Sequence, residues 1–272
     1  MRSVHLREFL AAARRPKCGG LPEARPALAS PAITRMFELD PQMERHGWRK
    51  YSQNDEDGIL HYLFSVLPAT PHGPFFVEFG VGPKWQSTLA ESGLEGNCRL
   101  LREIGWKGLF LDSESYPQEF AVARERIDAI NINSILRKYR VPENFDLISI
   151  DVDGQDFWIW SNLVFHPTVV IIEYNASLPV DESKVVPFDA SFRWDGTRWY
   201  GASLRALFNL GDSKGYTLVY ANGVNAFFVR SDFVKNKENF PFERIYRFRA
   251  LHAADGSKRP WVLIPAAASE GR

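Results

Sequence analysis

The sequence predicts an α/β fold: a doubly wound, mostly parallel sheet of seven strands that ends in an antiparallel hairpin. Three observations carry this expectation. Five short apolar runs, Phe75–Phe79, Lys107–Asp112, Ala129–Ile132, Asp146–Asp151 and Val169–Glu173, alternate with stretches of helical character, as parallel strands covered on both faces do. The first run ends in Gly80-Val81-Gly82, a sharp bend at which a ligand can approach the main chain. The last two runs, Tyr216–Tyr220 and Ala226–Arg230, are separated only by a short stretch containing Asn222-Gly223, a dipeptide that favours a tight hairpin.

Taken in order, the chain begins with a different texture. Residues 1–50 are rich in Ala, Arg and Pro, and Pro22, Pro26 and Pro31 interrupt any long element, so short helices are expected only around 3–14 and 32–39. This part reads as an N-terminal extension or lid. From Tyr51 to Gly58 the chain prepares a helix. Ser52 or Asn54 is a candidate cap, Asp55, Glu56 and Asp57 suit the positive end of the helix dipole, and Ile59, Leu60, Leu63, Phe64 and Leu67 form an apolar face. A helix over 95–105 closes at Gly105, another is expected over 117–126, and a Trp- and Phe-rich helix joins the fourth and fifth strands. The segment 176–201 has no clear period and reads as a functional loop; its Trp194, Trp199 and Tyr200 suit stacking on sugar rings or packing on the core. A helix over about 202–213 precedes the hairpin, and the expected division is 1–50, a main domain over 51–235, and a C-terminal extension over 236–272 that packs on it.

Composition narrows the function classes. Lys plus Arg and Asp plus Glu both total 33, which gives no overall attraction for nucleic acid, although the first fifty residues hold ten basic against five acidic side chains. Cys18 and Cys98 lie far apart without histidine at ligand spacing, which argues against a disulfide framework or a zinc site and suits a reducing compartment. No apolar run approaches the ~20 residues that span a bilayer, and charged residues break the N-terminus where a secretory signal would be apolar. The expectation is a cytoplasmic protein with neither nucleic acid nor membrane as partner.

Several motifs recur in a fixed order: Tyr51-Ser52-Gln53 with Glu56-Asp57-Gly58, Phe76-Val77-Glu78-Phe79-Gly80-Val81-Gly82, Gly105-Trp106-Lys107-Gly108, Asp146 through Gly154, and Gly223 through Val229. Together they resemble FkbM-like methyltransferases, which use S-adenosylmethionine, over residues 51 to about 232. Lys84 and Trp85 stand where a glycine-rich loop would carry its third glycine. The resemblance implies a Rossmann-like methyltransferase sheet and O-methyl transfer to a hydroxyl of a sugar, glycan or secondary metabolite. Under it, Glu78 is placed to accept the donor's ammonium group, Gly80 and Gly82 leave it room, Asp112 accepts the ribose hydroxyls, and Asn131 or Asn133 faces the adenine. Gln53 and Glu56 either fold over the cofactor or only cap their helix.

Acceptor chemistry is expected at the ends of the fourth and fifth strands. Residues two apart in extended chain point the same way, so Asp151 with Asp153, and Glu173 with Asn175, converge as a hard-oxygen set suited to Mg²⁺ or Ca²⁺. The arrangement resembles catechol O-methyltransferase-like enzymes. Without a metal, Asp151 or Asp153 serves as a general base, and Asp-x-Asp-Gly can also be a plain capped turn. His166 falls at the start of the fifth strand, away from these groups. An NAD-linked oxidoreductase uses the same sheet edge but fits the hairpin and the incomplete glycine pattern poorly, and a binding module without activity is the third reading.

Overall fold

The apolar runs become strands β1 (Phe75–Phe79), β2 (Lys107–Asp112), β4 (Leu147–Ile150) and β5 (Val169–Glu173), with β3 at Val122–Arg124 and the closing pair β7 (Tyr216–Ala221) and β8 (Asn225–Arg230). The computed structural model describes residues 35–83, 88–89, 93–251, 253 and 259–265. The seven strands form one sheet in the order β3-β2-β1-β4-β5-β8-β7. β1 to β5 run parallel, whereas β8 pairs antiparallel with both β5 and β7. A two-residue strand β6 (Lys184–Val185) pairs antiparallel with β9 (Val262–Leu263) in a separate small sheet.

Burial explains this arrangement. Val169, Val170, Ile171 and Ile172 are all buried, as are Leu147, Ile148 and Ile150 beside them, so these central strands need apolar residues on both faces. Helix α1 (Glu56–Val66) buries Ile59, Leu60 and Leu63, the face its spacing predicts. α2 (Arg99–Glu103), α3 (Ile132–Lys138), α4 (Asp156–Asn162) and α5 (Leu204–Ser213) follow β1, β3, β4 and β6. Trp160 of α4 packs on Phe228 of β8 with ring centroids 4.7 Å apart. At the start of α5 the Ser203 hydroxyl accepts the Ala206 N–H, a side-chain N-cap. Beyond the hairpin, the short helix α6 (Phe242–Ile245) buries Phe242 and Ile245.

Several expectations are corrected. The third strand is not Ala129–Ile132. The carboxylate of Asp128 accepts the N–H groups of Ile130 and Asn131, a side-chain turn that winds the chain into α3. Val122–Arg124 instead pairs with Phe110–Asp112. The helix expected over 117–126 shrinks to one turn of 3₁₀ helix, Gln118–Phe120, and ends where Ala121 takes a left-handed conformation. The helix expected over 95–105 begins only at Arg99, because Glu95 pairs with Gly82, and it stops at Gly105 as its sequence predicts.

Residues from Met36 onward belong to one compact unit. Phe37 pairs with Val234, and Leu39 and Met43 are buried. The expected helix over 32–39 is therefore absent from its described part, while that over 3–14 and the residues Cys18, Lys84 and Trp85 lie outside the described residues. Among the described residues, no helix is long and apolar enough to cross a membrane.

Candidate functional site

At the carboxyl ends of β1, β2 and β4 lies a cavity of about 460 Å³, closed on its far side by residues of the 189–194 loop. A parallel sheet opens this kind of crevice where neighbouring connections leave in opposite directions, here between β1 and β4. Its lining is strongly acidic. Asp112, Asp151 and Asp153 come from strand ends, and Glu114, Glu125, Asp128 and Asp189 from loops, against Arg126 and Arg193. Arg126 crosses to the far wall, where its guanidinium donates to the carbonyl of Ala190 at 2.6 Å.

Gly80 sets how closely the walls approach. Its φ of +74° belongs to the left-handed region, and a Cβ there would lie 1.8 Å from the carbonyl oxygen of Asp151. The glycine therefore lets the β1 and β4 ends touch. Tyr116, in the cavity wall, donates its hydroxyl to the carbonyl of Val81. Burial, and then the nearby Asp112, push the Tyr116 phenol well above its ordinary pKa. Asp112 accepts the Glu114 N–H at 2.8 Å, and burial raises its own pKa.

Behind Asp151 a second feature emerges. Asp151, Asp156 and Glu173 each offer a carboxylate oxygen within 4.8 Å of the others. Asp156 is buried and its oxygens accept the N–H groups of Val152 and Gly154 at 2.8 and 2.9 Å, which holds the loop after β4 in shape. Burial raises its pKa to about 7. Asp151 and Glu173 are pushed well above the usual carboxylate range, first by burial and then by these like charges. The Tyr200 phenol is driven up by burial and by the same carboxylates. Such a set favours a proton shared among the acids or a hard cation that offsets their repulsion.

Of the expected ligand set, the structure brings Asp151 and Glu173 together. Asp151 and Asp153 line the cavity. Asn175 is engaged by other partners: its amide N–H₂ donates to the carbonyls of Arg198 and Tyr200, and its Oδ1 accepts from Ser177. It ties down the aromatic loop instead. Asp153 takes a left-handed φ of +55° and stands outside the close carboxylate cluster, which Asp156 completes.

Other expected contacts are spent elsewhere. Glu78 is buried, and its two oxygens accept the N–H groups of Asn97 and Cys98 at 2.6 and 2.8 Å, so it shapes the turn before α2 and does not line the cavity. Glu56 is buried among Asn54, Asn222 and Asn225, whose amides donate to it, and so joins α1 to the β7–β8 turn. Gln53 is exposed and away from the cavity, and Gly82 pairs with Glu95. Asn131 donates to Arg126 and accepts from Asp128, which commits its amide to the turn before α3. Asn133 bonds Asn162 and Val164 instead of lining the cavity.

The sequence reading missed Asp128, Tyr116 and Asp156. Asp156 carried a signal, since an acid three residues after Asp153 at a loop-to-helix junction is a candidate N-terminal helix residue. Tyr116 and Asp128 carried none, because their place depends on where β3 falls. Comparison of the chain with known protein families found no matching family model, and no curated protein or solved structure matches it.

Proposed function

We propose that the chain is an S-adenosylmethionine-dependent O-methyltransferase acting on a hydroxyl of a sugar, glycan or secondary metabolite. The observation that carries this reading is the charge of the cavity at the sheet's carboxyl edge, with Asp112 at the tip of β2. S-adenosylmethionine carries a sulfonium and an ammonium group and is net positive, so a wall of carboxylates attracts it. A dinucleotide presents an anionic pyrophosphate, which the same wall repels, and its two lining arginines include one already turned to a backbone carbonyl. The sheet order with its reversed final hairpin, which is the layout of class I methyltransferases, supports the same reading.

The residues fit the donor as follows. Asp112 would accept the ribose hydroxyls, Gly80 leaves the main chain open beside it, and Ile127 and Asp128 offer an apolar contact and an acceptor for the base. When bound, the donor supplies an electrophilic methyl group on sulfur. Asp151 and Asp153 stand in the same cavity, and without a metal either carboxylate, its pKa raised by burial, would take the hydroxyl proton. Asp151, Asp156 and Glu173 would hold a divalent cation such as Mg²⁺, whose contribution is to acidify a coordinated hydroxyl. Phe192 and Trp194 of the preceding loop line the cavity and would offer aromatic faces to the acceptor. Orientation of the acceptor does most of the remaining work.

Calorimetric titration with S-adenosylmethionine, and with NAD as control, in EDTA and then in excess magnesium tests this. The donor should bind and NAD should not, and Asp112→Ala should weaken the donor about tenfold or more while the variant remains folded. Binding of NAD alone, or of neither, overturns the reading.

A further inference from the structure

We propose that a second ligand site, for a phosphomonoester carried on a ring such as a sugar phosphate or a mononucleotide, lies between residues 45–48 and the outer face of α1. A cavity of about 350 Å³ opens there, within the usual size of small-molecule sites. Its chemistry is the reverse of that at the sheet edge: Arg45, His46 and His61 line it, and no carboxylate does.

The site is built, and its parts follow from α1. Gly58, His61, Tyr62 and Ser65 recur at helical spacing on one face of the helix and make one wall. Gly58 makes the other wall possible. A Cβ there would lie 2.2 Å from the carbonyl oxygen of His46 and 2.4 Å from the backbone nitrogen of Trp48, and the Gly58 N–H donates to Trp48 at 3.0 Å. Only glycine lets the two segments seal.

His46 is held from two sides. Its Nε2 lies 2.8 Å from the Asp40 carboxylate, which sits behind it and does not line the cavity, and its ring stacks on Tyr62 with centroids 3.8 Å apart. Asp40 is in turn kept ionised by the Gln42 N–H and by His46. The acid fixes the orientation of the imidazole at the cavity wall. Arg45 forms no ion pair among the described residues, which leaves its fork of donors for a phosphate. Trp48 is 43% exposed, large for an indole, and stands beside His61 at 6.0 Å between ring centroids. Its face suits the ring to which the phosphate is attached.

The test is calorimetric titration of the full chain with glucose 6-phosphate and AMP, with inorganic phosphate and glucose as controls. At least one phosphomonoester should bind at least about tenfold more tightly than inorganic phosphate, and glucose should not bind. Arg45→Gln and His61→Gln, both at exposed positions, should each weaken the ester about tenfold, and Trp48→Leu should bring it down to the affinity of inorganic phosphate. S-adenosylmethionine titration of the same variants serves as the folding control. Absence of binding to the wild-type chain, equal affinity for inorganic phosphate and the esters, or unchanged affinity in both Arg45→Gln and His61→Gln overturns the proposal.

Discussion

Replacing Gly80 by alanine tests the closeness of the two strand ends on which the cavity depends. The added Cβ meets the Asp151 carbonyl oxygen at 1.8 Å and its carbon at 2.9 Å, and separations below 3.0 Å do not persist, so the walls must part by more than 1.2 Å, the difference between 3.0 and 1.8. Two costs add. The left-handed φ of +74° is worth about 1–2 kcal/mol for a residue with a Cβ, and forcing packed backbone apart costs about 1–3 kcal/mol more. Gly73→Ala separates them, because Gly73 has a φ of +82° and nothing within 4 Å of the new atom. Urea unfolding of both variants should give a loss of about 1–2 kcal/mol for Gly73→Ala and about 2–5 kcal/mol for Gly80→Ala. Calorimetry with the methyl donor should show weakened binding only for the second. Equal losses in the two variants, with donor binding intact in Gly80→Ala, would refute the account of a tight approach.

Three further outcomes are expected. Burial holds Glu78 at about 7 against its ordinary 4.5, so the folded chain keeps a proton that the unfolded chain releases: its stabilising effect is complete below pH 4.5 and falls away as pH rises through 7, by roughly 3 kcal/mol. Glu78→Gln should flatten that part of the stability profile between pH 5 and 8 and lower stability at pH 5 by about 1–3 kcal/mol, since one of two backbone N–H partners loses its acceptor; an unchanged slope in urea midpoints counts against the assignment. Asn175→Ala should lower the thermal midpoint and expose the 198–200 chain to proteolysis while leaving magnesium affinity as it was, and a selective loss of magnesium binding would return Asn175 to the ligand set. Asp156→Asn should lower the Asp151 titration, followed by carbon-13 NMR of the carboxyls, because one of the like charges that raise it is gone; an unmoved Asp151 would refute their coupling.

Much of the architecture was legible because it rests on burial. The apolar run Val169–Ile172 and the Leu147–Ile150 stretch, interrupted only by Ser149, leave few alternatives to buried strands, and Asn222-Gly223 marks the reversal of β8. The third strand was not legible, since Ala129–Ile132 is as apolar as Val122–Arg124. What decided between them was a bond between the side chain of Asp128 and two backbone N–H groups, which no periodicity records. The site divides in the same way. Asp112, Asp151 and Asp153 follow from strand ends, whose position the apolar runs set. Glu78 and Asn175 also lie at or just beyond strand ends, and Glu56 opens a helix, but each turns towards N–H, amide or carbonyl groups from distant segments. Whether a polar side chain faces a cavity or serves the backbone is decided by partners that only the fold brings near.

The outermost members of the sheet also bear on how the protein behaves at high concentration. On one side the rim is β3, only three residues long, with Arg124 exposed at its end. So short a row of unpaired backbone groups, carrying a positive charge, is a poor template for another chain to add to, whereas the buried strands β4 and β5 are enclosed in the middle of the sheet. Extending this rim by a few β-branched residues in place of Arg124 and Glu125 would be expected to favour edge-to-edge assembly.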